Sequence, residues 1–113
     1  MNFNEYQEAA WGTAEYPDRG SNLIYPALGL AGEAGEAVDK IKKYWRNFGA
    51  TSMIDLTQDQ RKALLAEIGD VLWYVTALAS ELGAPLETVA INNIEKLNDR
   101  KTRGVIKSEG DNR

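Results

Sequence analysis

Apolar residues recur every three or four positions along most of the chain, which is the spacing of α-helices that bury one face. No stretch has the alternating pattern of a half-buried strand, and no internal repeat is visible. The 113 residues suffice for one domain and are too few for two independent cores. The sequence therefore predicts an all-α fold with a single domain over 1–113, comprising a helical core over about 4–103 and a polar tail over 104–113.

Start and stop signals, namely capping residues, Pro and Gly, divide this core into four helices. The predicted ranges are 4–16, 23–48, 57–83 and 86–103. On the second helix, the predicted core-facing positions keep to one side and are Ala27, Leu30, Ala34, Val38, Ile41, Trp45 and Phe48. Four helices with short connections predict a four-helix bundle.

The second helix carries three glycines in its first two turns, at Gly29, Gly32 and Gly35. Each interior glycine disfavours a helix by about 1 kcal/mol relative to Ala. Glu33 and Glu36 lie beside these glycines. We interpret the glycines as thinning the helix where the two carboxylates project, which leaves room for a neighbouring helix, metal-bound water or a phosphate chain.

Composition narrows the possible chemistry. With 17 acidic and 13 basic residues, the net charge of −4 provides no basic excess for binding a nucleic-acid polymer. The absence of Cys and His excludes a disulfide, a thiolate zinc site and an imidazole base or ligand. Carboxylates, lysines, hydroxyls and bound water therefore remain as the reactive groups.

The start of the chain shows no sign of a targeting segment, because Met1 leads directly into polar residues. No uninterrupted apolar run approaches the roughly 18 residues that cross a bilayer. We therefore expect a cytoplasmic protein without a membrane partner.

Charged and polar side chains follow the edge of the apolar face on three helices. The stripes are Glu33, Glu36, Lys40 and Lys43 on the second helix, Glu67, Asp70 and Tyr74 on the third, and Asn93, Lys96, Arg100 and Arg103 on the fourth. Two acidic stripes and one basic stripe can therefore converge at a seam of the bundle. Carboxylates that face one another repel, so this seam needs protons or cations.

A divalent ion is the simplest way to offset this repulsion. Oxygen ligands without His or Cys favour Mg²⁺ or Mn²⁺ over zinc. Mg²⁺ with few protein ligands usually keeps open positions for phosphate oxygens, and Lys96 or Arg100 could bind further phosphates.

Each stripe also has a plainer interpretation. An ExxE motif on a helix is usually a solvated face, and Glu67 or Asp70 could form a structural salt bridge with Lys40 or Lys43. Tryptophans and tyrosines on apolar helices are more often core residues than a platform for a base. The basic residues of the fourth helix could be a solvated end favoured by the helix dipole. Only the combination of the three stripes on one chain indicates a functional site.

That combination resembles the MazG-like nucleotide pyrophosphohydrolases of the all-α NTP pyrophosphatase superfamily. The likeness covers roughly 4–103 and rests on "GLAGEAGEAVDKIKK", "LLAEIGDVLWYV" and "NNIEKLNDR". The family signature is an ExxE followed by an ExxD and a downstream NxxKL. The matching residues are Glu33, Glu36, Glu67, Asp70, Asn93 and Lys96.

The resemblance implies Mg²⁺-dependent hydrolysis of a nucleoside triphosphate to a monophosphate and pyrophosphate, with Mn²⁺ as a possible substitute. Its implied metal and catalytic residues are Glu33, Glu36, Glu67 and Asp70, one of whose glutamates would orient or deprotonate the attacking water. The expected substrate-binding residues are Asn93, Lys96 and Arg100 for phosphates, Trp45, Trp73 or Tyr74 for the base, and also Lys43. Members of this family are commonly dimers or dimers of dimers, so we expect a homo-oligomer.

Two other functions remain open at this stage. A related enzyme could act on another phosphoanhydride, as a dUTP-selective or phosphoribosyl-ATP-type hydrolase. A non-catalytic nucleotide-binding module would bind without turnover, although the complete acidic quartet argues against it.

Overall fold

The computed structural model describes residues 1–104, and all regular structure in this range is helical. The elements are α1 (Phe3–Gly12), α2 (Ile24–Phe48), a short 3₁₀ turn (Met53–Asp55), α3 (Gln58–Glu81) and α4 (Leu86–Arg103). This confirms the all-α prediction with four α-helices. The tail predicted over 104–113 lies outside the described residues from 105 onward.

The signals that set the ends of the last three helices act as expected. Gly49 ends α2 in the left-handed conformation with φ of 71°, which a glycine adopts without strain. Thr57 and Gln60 form a reciprocal capping box at the start of α3. Pro85 is the N-cap of α4. The predicted bounds of these helices are therefore correct to within two residues.

The predicted extent of the first helix is wrong, because α1 ends at Gly12 rather than continuing to residue 16. Thr13 closes it, and its hydroxyl donates a hydrogen bond to the carbonyl of Ala10 at 2.7 Å. Beyond this cap the chain turns so that Ala14 and Tyr16 become buried against Ala77 of α3. Burial of these side chains outweighs the helical pattern of the segment.

The helices do not form an evenly packed bundle. α2 packs mainly along α3, whereas α1 packs against α3 and α4. Gln7 of α1 holds the turn into α4: its amide nitrogen donates to Ser80 and to the carbonyl of Ala84, and its amide oxygen accepts from the backbone N–H of Leu86. α4 is thereby fixed against α1 and α3.

Most of the predicted core face of α2 is not buried within the chain, so that prediction is wrong for a single copy. Val38, Ile41, Trp45 and Phe48 are 64, 54, 60 and 70% exposed. α3 adds further exposed apolar side chains, and we call the whole set the apolar stripe: Val38, Ile41, Trp45, Phe48, Leu65, Ile68 and Leu72. The stripe is uncovered because α1 and the buried cluster around Tyr16 lie against the C-terminal half of α3.

α3 is long and apolar enough to cross a membrane by length and composition, with 24 residues and a window of mean hydropathy 1.3, although the sequence lacks an uninterrupted apolar run. A core helix of a soluble protein passes the same test, so one such helix is weak evidence of a membrane protein. Within this chain, 17% of the window is buried. Glu67 and Asp70 lie in the middle of this helix.

The three glycines of α2 differ in what surrounds them. A Cβ on Gly29 would overlap the ring of Tyr74, so this glycine lets the α3 aromatic ring approach the α2 backbone. A Cβ on Gly32 or Gly35 would meet no atom within 4 Å. The interpretation that the glycines make room for a neighbouring helix therefore holds at Gly29 within the chain.

Gly29→Ala is expected to destabilise the protein by about 1–3 kcal/mol, because the added methyl group displaces the packed ring of Tyr74. Gly32→Ala is the matched control. It lies one turn away in open space and should stabilise the fold by about 0.5–1 kcal/mol through helix propensity. Urea unfolding of both variants measures the difference, and equal effects at the two positions would contradict the packing role of Gly29.

Candidate metal centre

Three carboxylates from α2 and α3 meet where these helices pack together. Oxygen atoms of Glu33, Glu67 and Asp70 all lie within 4.8 Å of one another. Glu67 and Asp70 are one turn apart on α3, so both can face Glu33 across the helix pair. Glu33 and Glu67 are half-buried and Asp70 is exposed, which gives the cluster one side open to solvent. We call these three residues the acidic cluster.

Glu36 adjoins the acidic cluster from the next turn of α2. Partial desolvation raises the pKa of Glu33, and the negative charges of Glu36, Asp70 and Glu67 together with a hydrogen bond to Glu36 raise it further. The four acidic residues of the predicted site are thus electrostatically coupled to one another, and their repulsion favours any cation that binds there.

Two carboxylate oxygens of the acidic cluster are buried without a hydrogen-bond partner among the described residues, as expected for atoms that bind a metal ion. Oε2 of Glu33 and Oε2 of Glu67 are buried and accept no hydrogen bond within the described chain. Buried polar atoms are normally paired, so these two require an explanation. A hard divalent cation supplies one, because carboxylate oxygens are the ligands that Mg²⁺ and Mn²⁺ prefer. The donor set therefore fits such an ion.

A lysine partly neutralises the cluster. Nζ of Lys40 lies 3.5 Å from Oε1 of Glu67, so the structural salt bridge considered from the sequence does form. The other lysine of that stripe does not join it, since Lys43 pairs with Asp39 at 2.7 Å.

A cleft of about 370 Å³ opens beside the acidic cluster. It is lined by Thr13, Glu33, Asp70, Trp73 and Tyr74. The indole N–H of Trp73 donates to the hydroxyl of Thr13 at 2.8 Å, which fixes the ring against the end of α1. Trp73 and Tyr74, two of the three residues predicted to contact the base, thus lie beside two of the predicted metal ligands, and their contact with a base stays a prediction.

Further aromatic rings support the cleft wall. Tyr16 stacks on Tyr25 with ring centroids 4.9 Å apart, and Trp73 meets Tyr74 edge-on at 5.0 Å. Tyr16 also contacts Trp73, and Tyr25 contacts Tyr74, so the four rings form a closed cycle. Because each ring already packs against two others, it loses little further conformational entropy when a ligand stacks on it.

Glu81 fastens the connection between α1 and α2 to this wall. Its carboxylate accepts hydrogen bonds from the hydroxyl of Tyr16 and from the backbone N–H groups of Gly20 and Asn22. Desolvation opposes its ionisation, but these hydrogen bonds outweigh that effect and keep the pKa of Glu81 below its usual value.

Three residues near the cleft were missed from the sequence: Tyr6, Thr13 and Tyr25. Burial raises the pKa of the Tyr6 phenol, and the negative charge of Asp70 raises it further, which places α1 close to the acidic cluster. Thr13 was hidden inside the overlong first helix. A Thr followed by a Pro a few residues later is a possible stop signal that would have favoured the shorter helix.

A second opening lies on the outer side of α2 and has a volume of about 520 Å³. Charged side chains and two of the glycines line it. We call it the glycine groove, and its lining residues are Gly32, Gly35, Glu36, Asp39, Lys40, Lys43 and Tyr44. Glu36 and Lys40 connect this groove to the acidic cluster.

The remaining predicted ligands do not gather at the cluster within one chain. Trp45 is exposed and lies twelve residues, about 18 Å, along α2 from Glu33. Asn93 and Lys96 are exposed on α4, and among residues 1–104 neither hydrogen-bonds to nor ion-pairs with the acidic cluster. Arg100 is buried at 6% exposure and engaged within the protein. The convergence of the basic stripe on the acidic cluster is therefore not seen at Asn93 and Lys96 within residues 1–104 of one chain, and it stays a prediction.

The structure is thus all-α over its described residues, with a cluster of carboxylates between two helices. The sequence model of the MazG nucleotide pyrophosphohydrolase domain family matches residues 25–105. That range includes the whole acidic cluster, Glu36 and all of α4. The chain belongs to this family, whose members are metal-dependent.

One relative is similar over the whole of both chains. It is the "Gene 37 protein" of Mycobacterium phage L5, which is 46% identical over 118 aligned positions that cover 100% of each sequence. No solved structure matches the chain.

Glu33→Gln is expected to raise the melting temperature of the metal-free protein at about pH 7.5. The folded pKa of Glu33 is raised, so its charge costs stability at neutral pH, and this cost disappears as pH falls through the folded pKa. The advantage of the variant should therefore shrink toward about pH 5. Melting curves in EDTA at both pH values measure it, and a pH-independent difference would contradict the raised pKa.

Proposed function

We propose that this chain is a Mg²⁺-dependent nucleoside triphosphate pyrophosphohydrolase that converts an NTP or dNTP to the monophosphate and pyrophosphate. The observation that carries the proposal is the acidic cluster with its two buried, unpaired oxygens. Family membership supports the pyrophosphohydrolase class. Removal of damaged or excess nucleotides from the pool is the role that this reaction suggests.

In this proposal, Glu33, Glu67 and Asp70 hold Mg²⁺ with help from Glu36. The ion, when bound, offsets negative charge on the phosphates and makes water more acidic. One glutamate of the quartet orients or deprotonates the attacking water. Glu36 is the best placed, because it adjoins Glu33 and also lines the open glycine groove.

The nucleoside is proposed to lie in the cleft beside the cluster. Trp73 and Tyr74 offer aromatic surface there, next to Glu33 and Asp70. The N–H of Trp73 is already bonded to Thr13, so the indole is available for stacking rather than for reading a base edge. Lys43, Asn93 and Lys96 are left as candidates for phosphate contacts.

The direct test is a pyrophosphate-release panel over canonical and damaged NTPs and dNTPs, with and without Mg²⁺. Release that requires Mg²⁺ supports the proposal and identifies the preferred base and sugar. Turnover of dUTP alone, or of phosphoribosyl-ATP alone, would assign the related phosphoanhydride hydrolases instead. Nucleotide binding without any release would favour a non-catalytic module.

Glu36→Gln or Asp70→Asn is expected to lower Mg²⁺-dependent turnover by at least about 100-fold while leaving the helical circular-dichroism spectrum unchanged. The reason is that a neutral amide is a poor substitute for an anionic ligand. Glu95→Gln and Asp59→Asn are matched controls on exposed parts of α4 and α3 and should keep wild-type rates. Wild-type rates in either site variant would overturn the metal assignment.

We further propose that the protein is a homo-oligomer whose smallest unit is a dimer. The supporting observation is the apolar stripe, in which seven large apolar side chains of α2 and α3 are exposed, since large exposed apolar surfaces mark interfaces. Closed two-fold symmetry is the commonest solution for soluble homo-oligomers. In such an assembly, Lys96 of one copy could reach the acidic cluster of the other.

Light scattering at micromolar concentration is expected to give at least the dimer mass, and Ile41→Glu within the stripe should shift it toward the monomer, because a buried unpaired charge opposes association. A wild-type monomer with full activity would contradict the proposal. Mixing inactive Asp70→Asn and Lys96→Ala subunits then tests the geometry, since regained activity would require one site shared across the interface.

A further inference from the structure

Lys40 is a basic residue that forms an ion pair with the acidic cluster. Its ammonium lies 3.5 Å from Oε1 of Glu67, whose side chain is 14% exposed, while the Lys40 side chain is 38% exposed. The other oxygen of Glu67 stays unpaired, so the lysine satisfies one half of the carboxylate. Neighbouring Lys42 and Lys43 both pair with Asp39 instead.

The ammonium of Lys40 lies where it would compete with a divalent ion for Glu67. Both cations draw on the same carboxylate, and a positive charge a few ångström from Mg²⁺ opposes its binding. The conflict is relieved if the lysine leaves when the ion arrives. A lysine has the means to do so, because its charge is on a flexible four-carbon stem and it is partly exposed.

The glycine groove is where the side chain can go. Lys40 already lines this groove together with Glu36 and Lys43. Gly32 and Gly35 line it without a side chain, and a Cβ on either would meet no packed neighbour within 4 Å among the described residues, so this part of the groove is open to a ligand. A polyphosphate chain bound to an ion at the acidic cluster would extend beside Lys40.

We propose that Lys40 is an exchangeable cation: it neutralises Glu67 in the metal-free protein and moves to the substrate phosphates when the divalent ion binds. This inference rests on the proposed metal-dependent hydrolysis and assigns a positioning role to a residue outside the quartet. It also gives Gly32 and Gly35 a function, which is to keep the phosphate path clear along α2.

The exchange predicts opposite effects on two ligands when Lys40 is neutralised. Without its competing charge, Mg²⁺ should bind roughly ten- to thirtyfold more tightly, which is the size expected for a single and a double positive charge about 4–6 Å apart in a water-like dielectric. Without its phosphate contact, a polyphosphate should bind about tenfold more weakly. A lysine that merely held the fold together would weaken both ligands when removed.

The experiment is isothermal titration calorimetry on wild-type protein, Lys40→Gln and Lys42→Gln. Each is titrated first with Mg²⁺ alone and then, in saturating Mg²⁺, with inorganic tripolyphosphate, which has no base. Lys42→Gln removes the same charge from the same helix, but Lys42 pairs with Asp39 and does not touch the cluster, so it should match the wild type. Tighter Mg²⁺ and weaker tripolyphosphate in Lys40→Gln alone would support the exchange.

Other outcomes overturn it. Weaker binding of both ligands would make Lys40 a structural residue, and affinities equal to those of Lys42→Gln would remove any role at the site. In both cases wild-type Mg²⁺ binding and pyrophosphate release would leave the proposed function intact. A wild-type protein that neither binds Mg²⁺ nor releases pyrophosphate would instead refute the proposed function and this inference together.

Discussion

Repulsion among carboxylates between α2 and α3 is the interaction on which this structure depends. Glu33, Glu67 and Asp70 present oxygens within 4.8 Å of one another, and Glu36 adds a fourth negative charge beside them. Folding brings these charges together at a cost, which is offset in part by a raised pKa at Glu33 and by the ammonium of Lys40. Because the carboxylates repel one another when no cation is bound, a cation that binds there lowers the free energy of the site. The same repulsion therefore costs folding stability and favours the metal binding that the proposed function needs.

The rest of the chain keeps this helix pair in place. Tyr74 lies against the backbone of α2 at Gly29, and the cycle of aromatic rings joins it to Tyr16 and Tyr25. Glu81 fastens the connection between α1 and α2 to the end of α3. The buried cluster of α1 and the following loop packs against the C-terminal half of α3, whereas the side chains of the apolar stripe stay exposed within residues 1–104. Because α2 and α3 carry both the acidic cluster and the proposed dimer interface, we expect the stability of the fold to depend on dimer formation.

Much of the fold followed from local signals in the sequence. Capping residues, Pro and Gly fixed α2, α3 and α4, because these signals act within one turn of the chain. The end of α1 depended on burial of Ala14 and Tyr16 against α3, a long-range effect that periodicity does not report. The acidic cluster was predictable because its members share helix faces at i and i+3. The positions of Thr13, Lys96 and Arg100 were not, since they depend on how α1 and α4 pack.

Crystals soaked in Mn²⁺ offer the most direct measurement of the central claim, because anomalous scattering locates that ion independently of any activity. We predict an anomalous peak between α2 and α3, with oxygens of Glu33, Glu67 and Asp70 at coordination distance. Under the proposed exchange, the ammonium of Lys40 would be displaced from Glu67. An acidic cluster that remains free of Mn²⁺ while Lys40 stays paired with Glu67 would contradict the account.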